Sequence, residues 1–182
     1  MLEISLHILD IVENSTRAGA TTVSIYIVED TVRNVLSLEI RDNGSGMTED
    51  VLNKVIDPFF TTKTVRSVGL GLPMLAQAAE RAEGRFAIES KGGEGTRVTA
   101  EFKLSHIDRQ PLGDISGTLV TLIAGNVDVD LIYRHKHDGQ EYILDTREIK
   151  QEIEDIPINH VTVLNFIRNN VIEGLKEIGA EA

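Results

Sequence analysis

The sequence predicts an α+β fold, on two observations. Stretches at 2–17 and 70–83 carry apolar residues three and four apart, the period of an amphipathic helix. Stretches at 21–29, 35–41, 86–90 and 97–104 alternate apolar and polar residues, as half-buried strands do, and short turns join them in pairs.

In order, Ile4, Ile8, Ile11 and Ser15 lie along one side of the first helix with Leu9 and Val12 beside them, and Gly19 stops it. The two strands that follow turn through Asp30 to Asn34. Thr48 is placed to cap a helix running to Asp57, because Pro58 disfavours helical geometry in the residue before it. The helix from Leu70 ends at Glu83 before Gly84, and a hairpin crosses the turn KGGEGT. Beyond Leu104 the character changes. Pro111 and Gly113 break the chain, and Ile115 to Ala124 reads as a short apolar helix. Strands at Val129–His137 and Gln140–Leu144 meet at Asp138-Gly139, a hairpin signal. Helices at Thr146–Asp155 and Val161–Ile178 flank Pro157. The expected division is a domain at 1–104 and an α+β extension at 105–182.

A chain of 182 residues makes one domain, or a domain with an appendage, and buries enough surface to need no disulfide or structural metal. It has no cysteine, which excludes redox thiols and Cys-based zinc sites. There is no secretion-type leader and no apolar run near the ~18 residues of a membrane span, so a cytoplasmic protein without a membrane partner is expected. A net charge of -11 and the lack of Trp argue against a broad nucleic-acid-binding surface.

Five short motifs carry the chemistry: DIVENSTRAGA from Asp10, DNGSGM from Asp42, DPFFTTK from Asp57, VGLGLPM from Val68 and GGEGTRV from Gly92. In DNGSGM, two glycines just after a strand let the backbone bend closely around a flat ligand, and Asp42 supplies an acceptor suited to an exocyclic amine. Asp-Asn-Gly is equally an ordinary turn. It is not a dinucleotide fingerprint, since Glu49 stands where a third glycine would be. VGLGLPM opens a helix, where free N–H groups and the helix dipole favour a phosphate; a Gly-rich connector is the plain alternative. No Walker motif is present. Asp10, Asn14 and Arg17 share a helix face with His7 one turn earlier. The Asn14 amide oxygen suits Mg²⁺, Arg17 suits phosphate, and Asp10 suits a water's proton. Alone, these residues are an ordinary polar stripe.

In combination the motifs resemble the superfamily that unites DNA gyrase, the ninety-kilodalton heat-shock chaperone, histidine kinases and MutL, over Leu2 to Leu104. The resemblance implies a two-layer α/β sandwich, a mixed sheet covered on one face by helices, holding ATP and Mg²⁺. It implies that Asn14 coordinates Mg²⁺, that Asp42 reads the adenine amine, and that Gly44 and Gly46 line the base, with Met47 in the same motif. Thr96 would stand beside Asp42. Gly69 and Gly71 would frame the phosphates with Leu70 and Leu72 between them. Phe59 to Val68 would form the lid, with Thr62 as a nucleotide contact and Lys63 reaching the γ-phosphate.

DPFFTTK, VGLGLPM and the Arg three residues after the Asn look like the catalytic domain of histidine kinases. The MutL branch carries a Glu where this chain has Asp10, which places a slow MutL-like ATPase cycling a homodimer behind the other readings. Only six residues precede His7, so no phospho-accepting helix pair is expected ahead of the nucleotide fold. His135 and His137 share a strand face, read as a solvated edge rather than a metal site. The expected function is a phosphotransferase acting in trans on a partner protein, histidine-kinase-like or anti-sigma serine-kinase-like, with Asp10, Asn14, Arg17 and Lys63 carrying the reaction. The alternative is a module that senses ATP against ADP without transfer.

Overall fold

A computed structural model describes residues 2–55 and 71–181. The elements are α1 (Ile4–Arg17), β1 (Thr22–Asp30), β2 (Val35–Asp42), α2 (Glu49–Val55), α3 (Gly71–Arg81), β3 (Arg85–Lys91), β4 (Gly95–Lys103), α4 (Ile115–Gly125), β5 (Asp130–His137), β6 (Gln140–Asp145), α5 (Thr146–Glu152) and α6 (Val161–Glu177). The strands form one mixed sheet in the order β3-β4-β2-β1-β5-β6. Among the described strands β1 and β5 run parallel, and the other neighbours are antiparallel. This is the two-layer α+β sandwich the motifs imply.

The period-two pattern explains the layering. Val23, Ile25 and Ile27 of β1, Leu36, Leu38 and Ile40 of β2, and Val98, Ala100 and Phe102 of β4 point to one buried face. Helices cover that face, with α1 against β2, α3 against β3 and β4, and α6 against β6, while α4 lies between α1 and α6. On α1, Ile4, Ile8, Ile11 and Val12 supply the apolar stripe. The helix ends at Ala18, and Gly19, at φ 76°, turns the chain into β1.

The β5–β6 hairpin turns at Asp138 (φ 46°) and Gly139 (φ 105°), positive at both central positions as a tight twisted hairpin requires. These strands lie in residues 130–145 and continue the same sheet through the parallel pairing of β5 with β1. Pro58 and the predicted end of the helix at Asp57 lie outside the described residues.

His135 departs from the solvated edge expected of it. It is fully buried, its Nδ1 2.6 Å from the Tyr133 hydroxyl and its Nε2 2.7 Å from Glu29 Oε1. Glu29 Oε1 also accepts from the Glu181 backbone N–H at 3.0 Å. The network is consistent when His135 Nε2 carries the proton and Nδ1 accepts from Tyr133, whose phenol burial pushes well above its usual range. His137 sits apart from it, Nδ1 donating to the Ile178 carbonyl at 2.8 Å. Glu29 and His137 thus tie the C-terminal residues to the sheet.

Candidate functional site

The site begins at the C-terminal end of β2. Asp42 is 8% exposed, on the inner face of the sheet. A carboxylate taken from water needs donors. Ser15 Oγ donates to Oδ2 at 2.7 Å, and the Gly44 N–H donates to Oδ1 at 2.8 Å. Ser15 lies on the buried side of α1, next to Ile11. Two bonds therefore fix the carboxylate and leave each oxygen with further acceptor capacity.

The loop after Asp42 is clamped on both sides. Asn43 Oδ1 accepts from the Thr21 and Thr22 N–H groups at 2.9 and 3.0 Å, and its Nδ2 donates to Thr21 Oγ1 at 2.9 Å. On the other side the Ser45 carbonyl accepts from Gly93 N at 2.7 Å, and Met47 N donates to Ser90 Oγ at 2.8 Å. Ser90 Oγ also lies 2.9 Å from Thr96 Oγ1. Removing the Asn43 side chain by Asn43→Ala is expected to cost about 1–2 kcal/mol in urea unfolding, with ligand affinity changed by less than about threefold, because these bonds face away from the pocket.

Between α1, this loop, α2 and the start of α3 lies a cavity of about 410 Å³. Ile11, Met47, Val51, Leu72 and Val98 give it apolar walls, and Asp42 and Thr96 bring polar groups to one end. Asn14 and Arg17 line it from α1. A mostly apolar cleft with a few convergent polar groups is what a flat aromatic ligand with a polar edge requires.

At the Asn14 end, a polar chain runs along α1. Asn14 Nδ2 lies 3.5 Å from Asp10 Oδ2, and Arg17 Nη1 donates to Asn14 Oδ1 at 3.3 Å. Arg17 Nη2 also reaches Glu13 Oε2 at 3.0 Å, an exposed pair that contributes little stability and leaves the guanidinium free to turn toward an anion. Asp10 lies against the first turn of α3: a Cβ added to Gly71 would fall 1.8 Å from Asp10 Oδ2. A side chain here would have to turn the Asp10 carboxylate aside.

Of the residues expected from sequence, the cavity brings together Asn14, Arg17, Asp42, Gly46, Met47, Leu72 and Thr96. Gly44 stands behind it and acts through Asp42, and Gly71 and Asp10 stand beside it at the α3 end. Thr62, Lys63, Gly69, Leu70 and the segment Phe59 to Val68 lie outside the described residues. Sequence reasoning missed Ser15 as a site residue. Its signal was a hydroxyl on the otherwise apolar side of α1.

A mixed sheet with helices on one face and a ligand-sized cleft between them, closed by a buried carboxylate, defines a class of small-molecule-binding α/β sandwich. Comparison with known proteins makes this specific. The family described as histidine kinase-, DNA gyrase B- and HSP90-like ATPase matches residues 3–106, and the chain belongs to that family. It is 31% identical over 103 residues to a putative sensor protein of Shewanella frigidimarina, covering 56% of this chain and 16% of that protein. It is 35% identical over 83 residues to a probable C4-dicarboxylate sensor kinase of Halalkalibacterium halodurans (46% and 15%). With sporulation kinase E of Bacillus subtilis it shares 42% over 59 residues (32% and 8%). The chain thus spans under a fifth of the length of these relatives, 16%, 15% and 8%. Among solved structures, the Aquifex aeolicus MutL ATPase domain complexed with ADP superposes with a TM-score of 0.53 at 16% identity, over 85% of this chain and 68% of that one. The N-terminal domain of a DNA repair protein gives 0.55 at 14%, over 80% and 53%. These two share the fold. Among the described residues, no helix is long and apolar enough to cross a membrane.

Proposed function

We propose that the cavity binds ATP with Mg²⁺ and that the chain passes the γ-phosphoryl group to a partner protein. The observation that carries the nucleotide reading is the buried Asp42 carboxylate, pinned by Ser15 and Gly44 N with acceptor capacity left over, at the end of an apolar cleft. Adenine fits it: the ring lies between Ile11, Met47, Val51 and Val98, and its exocyclic amine donates to Asp42. Membership of a family of ATPases and the solved ADP complex of MutL support the same ligand.

From the base, the triphosphate extends toward Asn14, Arg17 and the first turn of α3. Asn14 Oδ1 is the oxygen available to a divalent ion, which fits Mg²⁺, an ion that takes few protein ligands beside phosphates and waters. Bound there, Mg²⁺ would supply neutralisation of the charge that develops on the phosphoryl oxygens. To accept the ion, Asn14 gives up its bond from Arg17, which frees that guanidinium for a phosphate. The α3 N-terminus at Gly71 favours the same anion. Thr62, Lys63, Gly69 and Leu70 complete the phosphate end in this reading. Phosphoryl transfer needs mainly such positioning and electrostatics, so a single domain suffices and the acceptor comes from a cytoplasmic partner.

A second reading, an ATP/ADP sensor without transfer, is favoured by one feature: the Asp10 carboxylate packs against Gly71 and not into the cleft. A slow ATPase working as a homodimer stands third.

Purified chain and γ-labelled Mg-ATP separate these readings, with and without a cell extract. Transfer predicts bound ATP, little free phosphate, and label on a second protein only when extract is present. Steady phosphate release by the chain alone, with dimerisation on ATP, supports the third reading. Tight binding with no label leaving ATP supports the sensor. Absence of any adenine-nucleotide binding overturns all three.

A further inference from the structure

The segment that follows β4 returns to the start of α1. Glu3, at the head of α1, makes no side-chain cap. The first helical N–H groups are satisfied by this segment instead: Ile4 N donates to the Pro111 carbonyl at 3.0 Å and Ser5 N to Leu112 at 2.8 Å. Gly113 (φ 78°) allows the approach, since a Cβ there would lie 2.3 Å from Glu3 Oε2 and 2.6 Å from Ser5 Oγ. Arg109 grips the segment from within, Nε donating to the Leu104 carbonyl at 2.7 Å and Nη1 to Gln110 at 3.0 Å. Its Nη2 pairs with Glu181 Oε2 at 2.8 Å, and Glu181 Oε1 accepts from Leu112 N at 3.2 Å. Residues 104–114 and the end of the chain thus form one clasp.

From the clasp Leu112 enters the core, and Gln110 reaches the polar side of α1. Gln110 Oε1 lies 3.0 Å from Nε2 of His7, which is fully buried on α1. Burial holds the imidazole below its usual range, so the ring is neutral, with Nε2–H donating to Gln110. Nδ1 is then the unprotonated nitrogen, without a hydrogen-bond partner among the described residues. Asp10 stands one helical turn further along α1 with its carboxylate against Gly71 at the start of α3, and the Gly71 backbone and this carboxylate both bear on the ring. His7 therefore stands between the clasp and the junction of Asp10 with the first turn of α3.

We propose that His7 is a positioning residue through which the 104–114 clasp sets the first turn of α3 and the Asp10 carboxylate, and so regulates the phosphate end of the nucleotide site. The inference rests on the nucleotide reading and deepens it. Ser15, which holds the adenine end, is eight residues further along α1, about 12 Å at 1.5 Å per residue, so the clasp acts on the phosphates without reaching the base. Coupling of this kind is reciprocal. A partner that lifts residues 104–114 from α1 changes the preference between ATP and ADP, and a γ-phosphate changes the protection of the clasp.

The test uses the full chain with Gln110→Met, which keeps side-chain length and removes the acceptor, and Arg109→Gln, which loosens the clasp at its other end. Affinities for Mg-ATP, Mg-ADP and adenosine are measured together with thermal melting. Both variants are expected to shift the ATP-to-ADP affinity ratio at least about fivefold in the same direction, with adenosine affinity constant within about twofold. In wild-type chain, amide exchange at 104–114 is expected to differ between the ATP and ADP complexes. An unchanged ratio in both variants overturns the proposal. So does an equal loss for all three ligands that tracks a fall in melting temperature, since that is a merely structural role. If wild-type chain binds no adenine compound, the nucleotide reading itself fails, and the regulation falls with it.

Discussion

An Asp42→Asn chain is expected to fold normally and to bind ATP and ADP about 10- to 150-fold more weakly than wild type, by equal factors. The local bonds survive the change. The new amide oxygen takes the Gly44 N–H in place of Oδ1, and the amide nitrogen replaces Oδ2. Ser15, whose hydroxyl lies 3.1 Å from the Ile11 carbonyl, turns to donate there and accepts from the new N–H. What disappears is the charge and the spare acceptor. A hydrogen bond to a charged group contributes about 1.5–3 kcal/mol, the loss the factor expresses. Adenine is common to both nucleotides, so both suffer alike. Inosine triphosphate, with an oxygen where adenine has its amine, is expected to be a poor ligand for wild type and relatively better for the variant, whose amide donates. Titration calorimetry with the three nucleotides checks both statements. Unchanged ATP affinity would sink the assignment of Asp42, and with it the orientation of the whole ligand.

The parts of this site legible in sequence are those written in local pattern. Apolar spacing on α1 defined the helix and put Asp10, Asn14 and Arg17 on one face. Alternation defined the strands, and Asp138-Gly139 marked a hairpin whose backbone angles agree. The motifs implied a sandwich, and the observed sheet is one. What local pattern does not carry is who meets whom. Ser15 and Asp42 are 27 residues apart, and nothing in either segment states that a hydroxyl on one holds the carboxylate of the other. His135 lies between Arg134 and Lys136, which reads as exposed; its burial depends on Glu29, 106 residues away, brought alongside by the β1–β5 pairing. The capping of α1 by Pro111 and Leu112 is equally non-local. Pro111 and Gly113 read as chain breakers, which is correct, but their use as acceptor and close-approach point for another helix appears only in three dimensions.

Gly46→Ala is expected to lower stability by about 3–5 kcal/mol, the largest effect of any single methyl in the loop. Two causes act at the same atom. At φ 65° an L-residue carries a penalty of about 1–2 kcal/mol. The added Cβ would also stand 2.0 Å from the Lys91 carbonyl oxygen and 3.0 Å from that of Gly95. Both neighbours are backbone, so no rotamer change relieves the contact and the loop must move off the β3–β4 turn. That movement breaks the Gly93-to-Ser45 and Met47-to-Ser90 bonds, at about 0.5–1.5 kcal/mol each. At roughly 2–4 °C per kcal/mol for a chain of this size, the melting temperature falls by roughly 6–20 °C. Two neighbouring glycines separate this account from a general intolerance of the loops. Gly44 has an ordinary φ, and its added Cβ would meet Ala18 O at 3.0 Å and Asp42 Oδ1 at 3.1 Å, so Gly44→Ala is expected to cost at most about 1 kcal/mol. At Gly92 no atom of the described residues beyond its chain neighbours lies within 4 Å of the Cβ position, and Gly92→Ala is expected to be within about 0.5 kcal/mol of wild type. Equal melting temperatures for Gly46→Ala and Gly92→Ala would show that the loop and the turn are not in the contact described. The ordering Gly46, then Gly44, then Gly92 would show that the loop after Asp42 is held by backbone against backbone, the rigidity that the proposed reading of adenine by this carboxylate needs.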